Sequence, residues 1–234
     1  MGNLLKKIFI FAFFAFGLLQ LGKITAINLQ KTNEKEQVLK DVYESLKYAI
    51  LTSGNTLKPV KDWEWQYNDP EFAAEYILRK RILPYVTNYK LCENKALQCV
   101  GGFSYLNKED YEHINFRRTK QYSRAIVGIY DAHVALALTG ECKKNRKKSV
   151  CGVVLVDINN KDTPNTMGYD VFKFAIYGDG SFLPYGFYWP RKDIEEECSE
   201  GFSGESCAAK ILLDGWIMKR GGDRPYFIYK KNDA

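Results

Sequence analysis

Four oxygen-bearing side chains at short spacing are the first place in this 234-residue chain where chemistry could be sited. Asp157, Asn159 and Asp162 lie within six residues, and Asp170 follows eight positions later. Carboxylate and amide oxygens gathered in one loop are the hard-ligand set that suits Ca²⁺. The spacing is not that of an EF-hand, because Lys161 takes the fifth position and Asp162 the sixth, where that loop needs glycine. Asx-turns made by the same side chains account for the composition without a metal. Calcium is the one cofactor the residues put forward, and the two readings stand side by side.

Six cysteines form three local pairs: Cys92 with Cys99, Cys142 with Cys151, and Cys198 with Cys207. Their spacers of six, eight and eight residues are longer than the two-residue spacing usual for zinc. Nearest-neighbour disulfides would close three short loops, each stabilising the fold by about 2 to 3 kcal/mol in the chain-entropy account. Disulfides persist in oxidising compartments, so the chain is expected to be exported. The alternative is six reduced cysteines, some buried as small hydrophobes.

Inside the second pair sits the densest charge cluster, Lys143, Lys144, Arg146, Lys147 and Lys148. Five cations on one loop can contact phosphates. Aromatic residues that would stack bases are absent from this loop, so a solvated loop is the expectation and nucleic acid is not an expected partner. The net charge of +6 is too mild to change that.

Catalytic constellations are not found. Only two histidines occur, His113 and His133, which excludes three-histidine metal sites. Asp131 and His133 look like an acid–base pair but are explained by a hairpin turn. Ser123 and Ser181 lack a nucleophile motif, and Gly101-Gly102 and Gly221-Gly222 lack the strand and helix of a phosphate loop. The expectation is a protein that is not an enzyme.

The elements that must position these residues follow from patterning. Hydrophobic residues at 46% and charged residues at 26% describe a globular chain and exclude disorder and multiple membrane spans. Lys6-Lys7 precede an apolar run from Ile8 to Leu19, and residues 1–29 read as a membrane anchor or a signal segment. As a signal it would end at Ile24-Thr25-Ala26; as an anchor Ile8 to Ile27 spans, with Lys23 reaching the interface. The basic flank keeps the N-terminus cytoplasmic in both cases.

Residues 30–234 form the head. Leu39, Tyr43, Leu46 and Ile50 recur at helical steps, flanked by Val38, Val42 and Ala49, with Lys40 on the opposite face and Ser53-Gly54-Asn55 as a stop. No breaker separates this stripe from the apolar run, so one helix of about 45 residues is expected, its first half apolar. A second helix opens at Asp69-Pro70 and ends before Pro84. Strands are expected over Arg124 to Tyr130, His133 to Leu138, Gly152 to Ile158 and Val171 to Tyr177, the last with one buried face. The class is α+β, a long N-terminal helix packed on an antiparallel sheet.

Two segments in the C-terminal half, and one in the middle, carry a resemblance. Asp157 to Phe174 fits the pattern D-x-N-x-x-x-x-P-N-x-x-G-x-D-x-F-x-F, which resembles the loop-then-strand of bacterial type IV pilin-like and type II secretion pseudopilin-like proteins. Cys207 to Met218, with Asp214-Gly215-Trp216, resembles their C-terminal cysteine, short helix and Gly-Trp element, and Pro84-Tyr85 followed by Cys92 and Cys99 resembles their middle region. The resemblance implies a pilin-like fold and a structural subunit that meets other pilin-like subunits through the N-terminal helix. It also implies an inner-membrane, single-pass or cell-surface placement with a periplasmic or extracellular head. Calcium near the Asp157 loop is among what it implies. The alternative is a secreted or anchored binding module of adhesin type that does not polymerise. The match departs at the leader, where Gly17 is followed by Leu18, Leu19, Gln20, Leu21 and Gly22, with no acidic residue before Glu34.

Overall fold

The computed structural model describes residues 34–65, 70–91, 104–108, 124–130, 132–139, 142, 149–159, 165–218, 220–221 and 224–225. Helix α1 covers residues 34–56. Its outward positions Lys40, Glu44, Lys47 and Tyr48 are exposed, while Leu39, Val42, Tyr43, Leu46, Ala49 and Ile50 are buried, as the stripe predicts. This corrects the expected architecture. The helix on the sheet is amphipathic and charged outside, and among the described residues there is no long apolar N-terminal helix. Among the described residues no helix is long and apolar enough to cross a membrane. The segment 1–29 lies outside the described residues.

The end of α1 also differs from expectation. The helix runs through Gly54 because Thr56 Oγ1 donates to Thr52 O at 2.8 Å and Leu57 N to Ser53 O at 3.0 Å, satisfying carbonyls of the last turn. Gly54 is needed for closeness rather than as a cap, since a Cβ there would lie 3.0 Å from Val60 Cγ2. Helix α2, Pro70–Ile77, opens at the proline as predicted, then loosens into a π-turn at Leu78–Ile82 and a 3₁₀ turn at Leu83–Tyr85 that contains Pro84.

Six strands form one antiparallel meander in chain order: β1 Tyr89–Leu91, β2 Arg124–Ile129, β3 Ala132–Leu138, β4 Val150–Asp157, β5 Val171–Tyr177 and β6 Phe182–Pro184. The β-branched runs therefore fold as the patterning predicts. Ile129 already pairs with Ala132, so Ala132 belongs to β3 and not to the expected Asp131-Ala132 turn. Tyr130 takes the positive φ of 51° that such a tight turn requires. Helices α3, Arg191–Glu197, and α4, Cys207–Leu213, follow, and strands β7, Arg220–Gly221, and β8, Arg224–Pro225, pair as a separate ribbon.

The inner face of the sheet packs on α1. Tyr43 stacks on Phe174 and Phe182 at ring-centroid distances of 5.5 and 5.6 Å and meets Trp216 at 5.0 Å. Burial, with a smaller push from Glu44, raises the Tyr43 phenol to about 12. The outer face is not solvated, which corrects the one-sided reading of β5. All seven residues of β5 are buried, and Ala135, Ala137, Val153, Leu155 and Val171 form a second cluster with Met167. Chain from 104–108 and 165–170 lies over this face, so alternation in sequence did not mean alternation in exposure.

Candidate functional site

The outer face carries the chemistry-bearing residues. Asp157 ends β4 and Asp170 precedes β5, so the loop between them leaves and re-enters the sheet on adjacent strands. Asp170 is wholly buried. Its Oδ2 accepts from Asn165 N at 3.0 Å and Asn159 Nδ2 at 3.1 Å, and its Oδ1 from Thr166 N at 2.6 Å. Burial pushes the Asp170 carboxyl above the usual carboxylate range, opposed by these N–H groups and by the Lys35 charge. Asp157 Oδ1 accepts from Asn159 N at 3.2 Å, which is an Asx-turn.

The structure thus brings together Asp157, Asn159 and Asp170 of the expected oxygen set, while Asp162 lies outside the described residues. Asp170 holds the loop by accepting from three N–H groups, and a cation would have to turn the Asn159 amide around to use it. Among the described residues no group of three or more metal-type side chains is assembled.

Around that loop two further segments close. Ser104 N donates to Asn165 O at 3.0 Å and Met167 N to Ser104 O at 2.9 Å, while Leu106 N donates to Ser203 O at 2.9 Å. Glycines make the approach possible. A Cβ on Gly168, whose φ is +79°, would sit 2.6 Å from Cys207 Sγ, and one on Gly204, φ +81°, would sit 2.7 Å from Met167 O.

Two of the three expected disulfides are formed, Cys142–Cys151 and Cys198–Cys207. They mark a protein that matures in an oxidising, exported environment. Cys92 and Cys99 lie outside the described residues, as do Lys143, Lys144, Arg146, Lys147 and Lys148. Cys142 fixes one end of that basic loop, its Sγ lying 4.0 Å from Lys61 O.

Sequence reasoning missed two arrangements. His133 stands opposite Asp157 in the β3–β4 register, so the histidine's cross-strand neighbour is not the nearby Asp131. Lys173, which alternates with Phe172 and Phe174 and so falls on the face of β5 opposite the expected buried one, is buried with its Nζ 2.5 Å from Glu205 Oε1 and 3.9 Å from the Tyr185 ring centroid. Burial lowers the Lys173 ammonium from its usual range, with Glu205 pulling the other way. No local pattern announces that pair, because its members are 32 residues apart.

Comparisons with protein-family models, with curated proteins and with solved structures returned no match.

Proposed function

We propose that the chain is the exported head of a structural assembly, a pilin-like or pseudopilin-like subunit that works by packing against other subunits rather than by catalysis. The observation that supports this reading most is how the Asp157–Phe174 motif is used. Asp157 and Asp170 fasten the loop, Gly168 lets it touch the cysteine pair, and Phe172 and Phe174 are buried against α1. Each of these motif positions is spent on scaffold, and among the described residues of the motif none projects a reactive group to solvent.

In this reading residues 1–29 hold the head at the inner membrane, with the head in the periplasm or outside the cell, serving a type IV pilus or a type II secretion-like apparatus. The leader favours a second reading. Gly17 is followed by Leu18 to Gly22 without the acidic residue that filament registration would use, which suits an anchored or secreted binding module that does not polymerise.

N-terminal sequencing of the mature protein from its own cells separates the readings. A start at Leu18 supports the pilin-like subunit, and an intact N-terminus supports an uncleaved anchor, the second reading in its anchored form. A start at Ile27 releases the head and contradicts the proposal.

A further inference from the structure

We propose that the Cys198–Cys207 disulfide is a redox clasp: its formation locks two distant segments, 104–108 and 165–170, onto the outer face of the sheet. This inference does not rest on the subunit reading above.

The bond joins the C-cap of α3 to the first residue of α4. Each helix is seven residues long, too short to persist without tertiary support. The chain between the cysteines does more than connect them. Ser203 O receives Leu106 N, Gly204 packs against Met167 O and Leu106 Cβ, and Glu205 holds the buried Lys173 of β5. Ser203 Oγ donates to Glu197, and Ser206 Oγ donates to Ile194 O at 2.9 Å, which orients the loop on α3. Gly168 lies directly on Cys207, so the bridge itself forms the floor under the 165–170 loop. Removing the bridge leaves α3 and α4 joined by the Arg191–Asp214 ion pair and by hydrogen bonds such as Ser206 Oγ to Ile194 O, and Ser203, Gly204 and Glu205 lose the covalent tie that keeps them on the other two segments.

The order of events follows from burial. Both sulfurs are wholly buried in the closed state, where no oxidant reaches them. Oxidation therefore precedes closure. One cysteine thiolate attacks the disulfide of an external thiol oxidant to form a mixed disulfide, and the second thiolate displaces the oxidant. The oxidant leaves as a dithiol, having accepted two electrons and the two protons of the cysteines. A chain still in a reducing compartment keeps the outer face open, and the same chain in an oxidising one closes it and shields the new bond from reductants.

Hydrogen exchange on the full chain carrying Cys198→Ser and Cys207→Ser tests the clasp, with Cys142→Ser and Cys151→Ser as the control. The clasp predicts exchange about a hundredfold faster at the amides of Leu106, Met167, Gly168 and Gly204, the factor that a disulfide closing a loop of this size supplies. In that variant the four amides exchange faster than the amides of β4, which open only with the whole fold, and the control variant leaves the four amides unchanged. Unchanged exchange at Leu106 and Met167 in the Cys198/Cys207 variant overturns the proposal. So does exchange of the four at the same rate as β4, which would mean that the segments open only with the whole fold, or equal acceleration of the four in the control.

Discussion

Lys173 Nζ lies 2.5 Å from Glu205 Oε1, with side chains only 10% and 16% exposed, and the pair ties β5 to the loop that the Cys198–Cys207 bond closes. A buried pair of this kind is weak evidence for stability as a whole, but breaking it on one side strands a charge. Glu205→Ala is expected to destabilise the protein by about 3 kcal/mol, whereas Lys173→Met with Glu205→Leu comes back close to the parent. Urea unfolding of the two variants measures this, and equal losses in both would mean that the stranded charge is not the cause.

The stripe of α1 gives a second contrast. Val42 is wholly buried and Lys40 two residues earlier is exposed. Val42→Asp places an unpaired charge in the core and should cost about 3 kcal/mol or more, while Lys40→Asp stays within about 0.5 kcal/mol. Similar midpoints in thermal unfolding would place the stripe on the wrong face.

Acid stability separates Glu64 from Asp170. Burial pushes the Glu64 carboxyl up, but Arg81 at 2.6 Å and Lys58 at 3.3 Å outweigh it, so the folded value lies below the ordinary 4.5. Its contribution is present above 4.5 and is lost as pH falls through the lowered value. Asp170 has the opposite sign: its raised folded value gives a contribution present below 3.8 that is lost as pH rises through that raised value. Glu64→Gln should therefore flatten the acid limb of a stability–pH curve and Asp170→Asn should steepen it. Shifts of the same sign in both would contradict the assignment.

Much of the architecture is legible in the residues because it is set by local pattern. The β-branched runs over 124–129, 132–138, 150–157 and 171–177 and the apolar stripe from Leu39 to Ile50 fold as their periods require. The local cysteine pairing is legible for Cys142–Cys151 and Cys198–Cys207. What escapes is whatever long-range closure decides. Gly54 looks like a helix stop until Val60 is seen against it, and Lys173 looks solvated until Glu205 arrives from the C-terminal loop. The oxygen set of Asp157, Asn159 and Asp170 was visible, but the N–H groups that occupy Asp170 were not.

That occupation makes a further prediction. With Asp170 already gripped by Asn159, Asn165 and Thr166, the loop needs no cation to hold its shape. The thermal midpoint of the purified full-length protein should be the same in millimolar Ca²⁺ and in chelator, because a ligand that binds only the folded state raises it. A midpoint that climbs with Ca²⁺ and falls back in Asp157→Ala would show a metal site there.

We propose that this head works by packing against other subunits at a membrane. Native mass measurement on the full-length protein, extracted from its own cells in mild detergent, tests that most directly. Recovery from the membrane fraction in a particle of more than one chain is the expected result. Recovery as a monomer from the soluble exported fraction would contradict it.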